Sequence, residues 1–244
     1  MLKNPYDTSI EKNTHMIHYR FLLPFMLLGT IAWGQNHFEL KDASTHYNVF
    51  IDVQNCEKDE CSGKAVIDLL DKKTSNKFQT FTSEDLNFYL KEDQKPTANI
   101  IQLYGEQSPL IFNDFNFDGS EDMAIRNGNE SSYGGPSYDV YVFNATKKGF
   151  VMSEELTSLA YENLGMFQTD AKRKRIITYS KSGCCWHLTT EYAVVPKKGL
   201  VKVYELEEDA MGAGETVKVI KREFKNNKWV AKTREYPIKE YYKE

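Results

Sequence analysis

The chain has 244 residues, of which 27% are charged, and a formal net charge of −4. A nucleic-acid-binding surface needs an excess of lysine and arginine to meet the phosphates, and this chain as a whole has an excess of acidic residues. Composition therefore argues against nucleic acid as a partner.

The N-terminal region carries an apolar stretch, residues 21–33, between Arg20 and the small residues Ala32 and Gly34. A cationic start, an apolar core too short to span a bilayer and a small-x-small site are typical of a secretory signal peptide. We expect residues 1–34 to be cleaved after Gly34, with Met16 as an alternative translation start. An uncleaved membrane anchor is the competing interpretation. Cleavage predicts a periplasmic or secreted protein without a membrane span, in which residues 35–244 form a single β domain.

All four cysteines follow the predicted cleavage site, as expected for an exported protein that forms disulfides. They are Cys56, Cys61, Cys184 and Cys185. Four cysteines allow three pairings, and the sequence does not choose among them. A bond between the first two would close a small hairpin loop, which leaves the adjacent pair as a vicinal disulfide or as free thiols. The spacings and the single neighbouring histidine, His187, disfavour a zinc site.

Segments rich in β-branched and aromatic residues recur from residue 47 onward, and several alternate polar with apolar side chains. Such alternation is typical of half-buried antiparallel strands. Strands are predicted at 47–53, 65–70, 100–104, 110–112, 123–125, 138–143, 175–180, 188–195, 200–206, 216–224 and 229–234, with turns at 197–199 and 226–227. The spacing of Thr82 and Asp85 predicts a short helix over 82–92. We therefore predict an all-β protein, either an antiparallel β-sandwich or a propeller-like domain, with one calcium loop.

The calcium loop is the segment 114–122, in which oxygen-bearing side chains recur with a period of two and Gly119 supplies a sharp turn. Hard cations such as Ca²⁺ prefer this pattern of oxygen ligands. The predicted ligands are the side chains of Asp114, Asn116, Asp118 and Asp122 and the carbonyl of Ser120. The loop is not an EF-hand, because Ile125 stands where the bidentate glutamate belongs. A polar hairpin turn containing Asp-Gly is the alternative.

A long glycine-rich loop, residues 127–138, follows the calcium loop and has Tyr133 at its centre. An exposed aromatic on an ordered loop would suit insertion into a partner's cleft. The predicted partner-binding residues in this loop are Tyr133, Gly134, Gly135, Ser137 and Tyr138. The alternative is a flexible surface loop in which Tyr133 packs locally. The nearby calcium loop is expected to order its base.

A second loop, 180–187, carries the vicinal cysteines and Trp186, which is the rival candidate for a partner-binding aromatic. The sequence contains no G-x-S-x-G, H-E-x-x-H or phosphate-loop motif. A Cys–His nucleophile at this loop is disfavoured, because adjacent strand residues point to opposite faces and exported cysteines are usually oxidised. We therefore expect a protein that is not an enzyme.

The segment from Asp114 to Val194 resembles a known family. Its DFNFDG and YGGPSYDVYVFN elements are similar to those of secreted calcium-binding immunity proteins, which neutralise lysozyme-like peptidoglycan hydrolases delivered by type IV secretion systems. These are similar in structure to periplasmic inhibitors of i-type lysozymes. Ser182-Gly183-Cys184-Cys185-Trp186 approaches the inhibitors' Ser-Gly-x-x-Tyr motif, with Trp in place of Tyr.

Two hypotheses follow for the function. The first is an exported calcium-binding protein that inhibits a lysozyme-like peptidoglycan hydrolase by inserting a loop into its active site. The second is a secreted or envelope adhesion module that binds glycans. An inhibitor would suppress hydrolase turnover in a stoichiometric complex, whereas an adhesion module would bind polysaccharide and leave turnover unchanged.

Overall fold

The computed structural model describes residues 36–196, 198–212 and 214–243, all within one compact unit. The predicted signal peptide 1–34, its cleavage site and the alternative start at Met16 lie outside these residues. The described residues form three antiparallel sheets that follow one another along the chain, which confirms the all-β prediction. Among these residues, no helix has the length and apolar character needed to cross a membrane.

The first sheet is a meander in which each strand pairs with the next, and a short fifth strand pairs with the third. Its strands are β1 (Asn36–Leu40), β2 (Tyr47–Glu57), β3 (Glu60–Asp71), β4 (Lys77–Ser83) and β5 (Phe88–Tyr89). Strand β2 alternates as predicted, because Val49, Ile51 and Val53 are buried and the residues between them are partly exposed. Each such side chain contributes about 1.5–3 kcal/mol to folding by leaving water.

The middle sheet is shorter and more apolar. Its strands are β6 (Leu110–Asn113), β7 (Asp122–Arg126), β8 (Tyr138–Asn144) and β9 (Gly149–Met152). The runs 110–112 and 123–125 are buried at every position, as expected for strands covered on both faces. Leu110 and Met123 enter a core shared with the first sheet, whereas Ile111 and Ala124 enter a second core on the opposite face.

The C-terminal sheet is the largest of the three and again pairs consecutive strands. Its strands are β10 (Gln168–Asp170), β11 (Arg175–Ser182), β12 (Trp186–Val195), β13 (Gly199–Asp209), β14 (Thr216–Lys225) and β15 (Lys228–Pro237). Ile176 of β11 packs in the second core with Leu156, Leu159 and Ala160 of helix α1 (Glu154–Glu162). The middle sheet therefore lies between the first sheet on one face and α1 with the C-terminal sheet on the other.

Both predicted turns join paired strands. Asn226 and Asn227 connect β14 to β15 with φ angles of 51° and 59°. Positive φ at both central positions is the geometry of a type I′ hairpin turn, which asparagine tolerates well. Strand β12 ends at Val195 and β13 begins at Gly199, so the connection predicted at 197–199 also joins neighbouring strands.

Two predicted elements are wrong. Residues 82–92 do not form a helix: β4 continues to Ser83, and β5 pairs with β3 beside Cys61. The helix predicted from the spacing of Thr82 and Asp85 does not form because Leu86 and Phe88 are buried in the first core. Residues 100–104 form a turn instead of a strand, with only an isolated bridge from Ile101 to Gln107.

Helix α1 was not predicted from the sequence. It follows Ser153 and presents Leu156, Leu159 and Ala160 to the second core, with Glu154 and Glu155 in its first turn. The i, i+3, i+4 spacing of those three apolar residues was the available signal. A terminal helix of four residues, α2 (Ile238–Tyr241), follows β15.

Candidate functional site

Both cysteine pairs are disulfide-bonded, and the described chain contains no free cysteine. Cys56 and Cys61 are directly paired in the β2–β3 ladder, with 4.1 Å between their Cα atoms. Cys184 and Cys185 form the vicinal bond in the turn between β11 and β12. Of the three possible pairings, the structure therefore has the one that staples the β2–β3 hairpin.

Three of the predicted calcium ligands converge in the loop that joins β6 to β7. The backbone N–H of Asp118 donates to Asp114 Oδ1 at 3.1 Å and to Asn116 Oδ1 at 2.9 Å. Asn116 Nδ2 donates to Asp118 Oδ2 at 3.0 Å, and Gly119 N–H donates to Asp114 Oδ2 at 2.9 Å. Two carboxylates and an amide oxygen thus share one small, exposed volume. The left-handed φ of 91° at Gly119 allows this curl.

The two remaining predicted ligands are placed differently. Asp122 is fully buried, and its carboxylate accepts backbone N–H groups of Phe115 at 2.8 Å, Asn116 at 3.2 Å and Phe143 at 2.9 Å. Burial raises the pKa of Asp122 to about 6, against the lowering effect of those three amides. Asp122 therefore fixes the backbone of the loop from below. Ser120 donates its N–H to Asp118 Oδ1 at 2.8 Å, at the exposed rim.

The described residues contain no group of three or more His, Cys, Asp or Glu side chains placed to hold a metal ion. The convergent set at the loop includes only two carboxylates, Asp114 and Asp118, with the Asn116 amide between them. That donor set is hard and oxygen-rich, so its chemistry fits Ca²⁺ better than a metal that prefers nitrogen or sulfur. Calcium binding by the predicted ligands stays a prediction.

The loop that carries Tyr133 is ordered by contacts to α1 and to its own base. Ser132 donates its N–H to the Asn163 carbonyl at 3.0 Å and its hydroxyl to the Glu162 carbonyl at 3.2 Å. At the base, Ser137 Oγ donates to the Asn127 carbonyl at 2.6 Å. The calcium loop and this loop leave opposite ends of β7, about 14 Å apart along a five-residue strand. The base of the Tyr133 loop is thus fixed by Ser137, and the loop at 114–122 lies at the other end of β7.

Tyr133 stands at the tip of a short 3₁₀ turn, Ser132–Gly134, with 62% of its surface exposed. Its backbone has φ 60° and ψ 27°, and Gly134 continues in the left-handed region at φ 67°. Left-handed backbone at a non-glycine residue costs free energy that the surrounding contacts must offset. Such strain is common where a side chain is presented for function.

Two of the predicted partner-binding residues belong to the interior. Tyr138 is fully buried in the second core, and its hydroxyl donates to the Ser108 carbonyl at 2.9 Å. Ser137 is also fully buried, and its hydroxyl bonds to the Asn127 carbonyl across the base of the loop. The prediction that Ser137 and Tyr138 contact a partner is therefore corrected, and Tyr133, Gly134 and Gly135 remain at the surface.

The second loop meets the first. The Tyr133 hydroxyl accepts the backbone N–H of Gly183 at 2.7 Å, and Lys181 Nζ lies 4.7 Å from the centre of the Tyr133 ring. Lys181 Nζ also lies 5.0 Å from the ring of Tyr104, which is 65% exposed. We call the four residues Tyr104, Tyr133, Lys181 and Gly183 the tyrosine surface. The vicinal disulfide at Cys184 borders it in sequence.

Trp186 is placed away from the tip of this loop. It begins β12, is partly buried, and donates its indole N–H to Glu207 Oε1 on β13 at 3.0 Å. Arg222 donates to the other oxygen of the same carboxylate at 2.7 Å. Trp186 is therefore held within the C-terminal sheet, whereas Tyr133 projects from the surface.

The sequence did not indicate Tyr104 or Lys181 as site residues. Tyr104 lies in a turn that was predicted as a strand, and its φ of 59° turns the chain back at that point. Lys181 is an ordinary polar strand residue in the sequence. Only the approach of the 100–107 turn to both loops brings these side chains beside Tyr133.

Comparison with known proteins gives one structural relationship. No protein-family model and no curated protein matches the sequence. A solved structure described as that of a Xanthomonas type IV secretion system related protein has a similar fold, with a TM-score of 0.62 and 23% sequence identity. The match covers 82% of this chain and 95% of that one. At this level of identity the match shows a shared all-β fold.

Proposed function

We propose that this chain is an exported, non-enzymatic calcium-binding protein that inhibits a lysozyme-like peptidoglycan hydrolase, in the setting of type IV secretion. The observation that carries the proposal is the exposed Tyr133 ring, held at a left-handed φ and oriented by Gly183 and Lys181. The fold shared with a type IV secretion system related protein supports the setting.

The tyrosine surface has the chemistry needed to block a glycosidase. Enzymes that cleave glycosidic bonds generally use a pair of carboxyl groups on either side of the scissile bond. The Tyr133 hydroxyl accepts a hydrogen bond from Gly183, so its own proton is free to be donated outward to such a carboxylate. Lys181 places a positive charge between two exposed phenol rings, which complements an acidic cleft.

Preorganisation supports insertion of this loop. A tyrosine loses only two side-chain torsions when it docks, and its ring already rests against Lys181. The 3₁₀ turn is tied to the end of α1 through Ser132, so little backbone freedom is lost on binding. Both effects favour an aromatic anchor at Tyr133 over one at Trp186, whose indole N–H is already bonded to Glu207.

Calcium in this proposal has a structural role. Asp114, Asn116 and Asp118 would hold the ion through side-chain oxygens, with the Ser120 carbonyl at the rim. An ion there would neutralise two neighbouring carboxylates and lock the β6–β7 connection in place. Asp122 supports the same loop from beneath through its three backbone amides. Calcium binding is therefore expected to stabilise the fold more than to touch the partner.

Affinity capture from a cell-envelope extract tests the proposal. The exported protein is immobilised in calcium and, in parallel, after chelation, and the bound proteins are assayed for peptidoglycan-cleaving activity before and after release. We expect recovery of a hydrolase whose activity falls in proportion to added protein and stops at a one-to-one ratio. Capture of no hydrolase, or of one that stays fully active when saturated, would reject the inhibitor function.

Glycan binding is the second candidate, and one observation favours it. Tyr104 and Tyr133 present two exposed rings on either side of Lys181, an arrangement that also suits stacking against sugars. An adhesion module of this kind would pull down with purified peptidoglycan or polysaccharide and leave hydrolase turnover unchanged. Those two readouts separate it from the inhibitor.

A further inference from the structure

The hairpin formed by β14 and β15 has a charge opposite to that of the chain as a whole. Residues 216–237 contain seven basic and two acidic side chains, a net charge of +5 in a chain of net −4. The remaining residues therefore carry −9. The charged residues of the hairpin are Lys218, Lys221, Arg222, Glu223, Lys225, Lys228, Lys232, Arg234 and Glu235.

The tip of this hairpin is not paired with the rest of its sheet. Strand β13 pairs with β14 only from Asp209–Lys218 to Tyr204–Glu223. The segment 224–229 is paired only within the hairpin itself, and β15 is the last strand of its sheet. Nine of the ten residues of β15 are exposed. Among the described residues, the tip therefore pairs with no third strand and is exposed to solvent.

Large apolar side chains lie at this tip. Phe224 and Trp229 are paired across the hairpin with ring centroids 5.6 Å apart, and both are exposed, Trp229 by 44%. Val230, on the opposite face, is also exposed. Lys225 and Lys228 flank the turn between them. Lysines along an edge strand are a common guard against strand addition, but that role needs no aromatic pair at the tip.

Most of the positive charge at the hairpin is not neutralised within the protein. Lys221 donates to Glu223 at 2.7 Å, and Lys225 donates to the other oxygen of the same carboxylate. Arg222 pairs with Glu205 and Glu207 of β13. In the part of the chain that the structure describes, Lys218, Lys228, Lys232 and Arg234 form no ion pair with a carboxylate. Glu223 thus pairs with two lysines, and four further cations remain for an external anion.

We propose that the tip of the β14–β15 hairpin docks on a lipid bilayer that contains anionic lipids. Tryptophan and phenylalanine bury their rings at the boundary between headgroups and acyl chains. The lysine stems can follow the apolar surface while their ammonium groups reach the lipid phosphates. An exposed tip that carries both apolar rings and lysines fits the layered chemistry of a bilayer surface, whereas a protein cleft is already the expected partner of the tyrosine surface. The inhibitor would then be held at the membrane with Tyr133 on a different part of the fold.

Sedimentation with vesicles tests the docking. The exported protein is mixed with two kinds of vesicle, one of phosphatidylcholine alone and one of phosphatidylcholine with about 30% phosphatidylglycerol. The second composition represents an anionic bilayer. Binding is expected only to the anionic vesicles and should weaken as salt increases. Each lysine near such a surface strengthens binding about fivefold, so K225Q/K228Q should weaken it about 25-fold. The matched control is K147Q/K148Q, which removes the same charge from the exposed β8–β9 turn and should bind like the parent.

Fluorescence quenching by brominated acyl chains locates the contact. The parent protein should be quenched through Trp229, and Trp229→Phe should lose most of the quenching while it still sediments with anionic vesicles. Equal binding of K225Q/K228Q and the parent would overturn the proposal. So would binding to a soluble polyanion without binding to vesicles, or a hairpin-dependent dimer that forms without lipid. All three variants change exposed residues, so their melting temperatures should equal that of the parent.

Discussion

Replacement of Tyr138 by phenylalanine tests whether Tyr138 is a core residue. Tyr133, five residues earlier, is a surface residue and serves as the comparison. Tyr138 is fully buried, and its hydroxyl donates to the Ser108 carbonyl, whose residue is also fully buried. Tyr138→Phe removes that hydrogen bond and leaves the carbonyl without a donor. A buried unsatisfied backbone group costs about 1–3 kcal/mol, so we expect a loss of about 2 kcal/mol in the free energy of unfolding. For a domain of this size the melting temperature should fall by about 4–8 °C.

The assay is urea denaturation followed by far-ultraviolet circular dichroism, with Tyr133→Phe as the matched control. Tyr133 is exposed, so its variant should unfold within about 0.5 kcal/mol of the parent. The dependence on urea should be the same for all three proteins, since the surface exposed on unfolding is unchanged. If Tyr138→Phe is as stable as the parent, or if it loses partner binding without losing stability, the assignment of Tyr138 to the core is refuted.

Three further predictions concern the ion, the staple and export. Calcium at a hundredfold excess over its dissociation constant should stabilise the protein by about 2.7 kcal/mol, and Asp118→Ala should remove most of that response; identical melting with calcium and with chelator, after removal of adventitious metal, would refute the ion site. Conversion of Cys56 and Cys61 to serine should cost about 2 kcal/mol by the loop-entropy estimate, and an unchanged urea midpoint would show that this bond does not constrain the unfolded chain. Mass spectrometry of protein from the native host should find a terminus at or near Gln35, whereas a retained apolar segment 21–33 would support a membrane anchor.

Many of the strand positions could be predicted because alternation is a local property. Val49, Ile51 and Val53 report their buried face without reference to any other part of the chain. The asparagine pair at 226–227 likewise carries its turn geometry in its own backbone preferences. These signals survive folding because the local preference and the final packing agree.

The errors arose where packing opposed a local signal. Thr82 and Asp85 have the spacing of a helix cap, yet the burial of Leu86 and Phe88 keeps the chain extended. Tyr138 was predicted both to begin a strand and to contact a partner, yet its side chain faces the second core. Burial depends on distant residues, which a local pattern does not contain.

The candidate site was predictable only in part. Tyr133 was identifiable as an aromatic among glycines, and the oxygens of Asp114, Asn116 and Asp118 were identifiable by their period of two. Lys181 acquires its position only through the approach of two loops that are far apart in sequence. No spacing rule links residues separated by that distance.

Inhibition of the captured hydrolase by Tyr133→Glu tests the central proposal most directly. Parent, Tyr133→Glu and Trp186→Ala proteins are titrated against a fixed concentration of the enzyme while peptidoglycan turnover is followed. A glutamate at Tyr133 would bring negative charge to a cleft that holds carboxylates, so the concentration needed for half inhibition should rise at least about 30-fold, as for a binding hot spot. Trp186→Ala should stay close to the parent, because Trp186 is held by Glu207 within its own sheet. Equal inhibition by Tyr133→Glu and the parent would contradict the anchor, and a loss confined to Trp186→Ala would move the contact to the second loop.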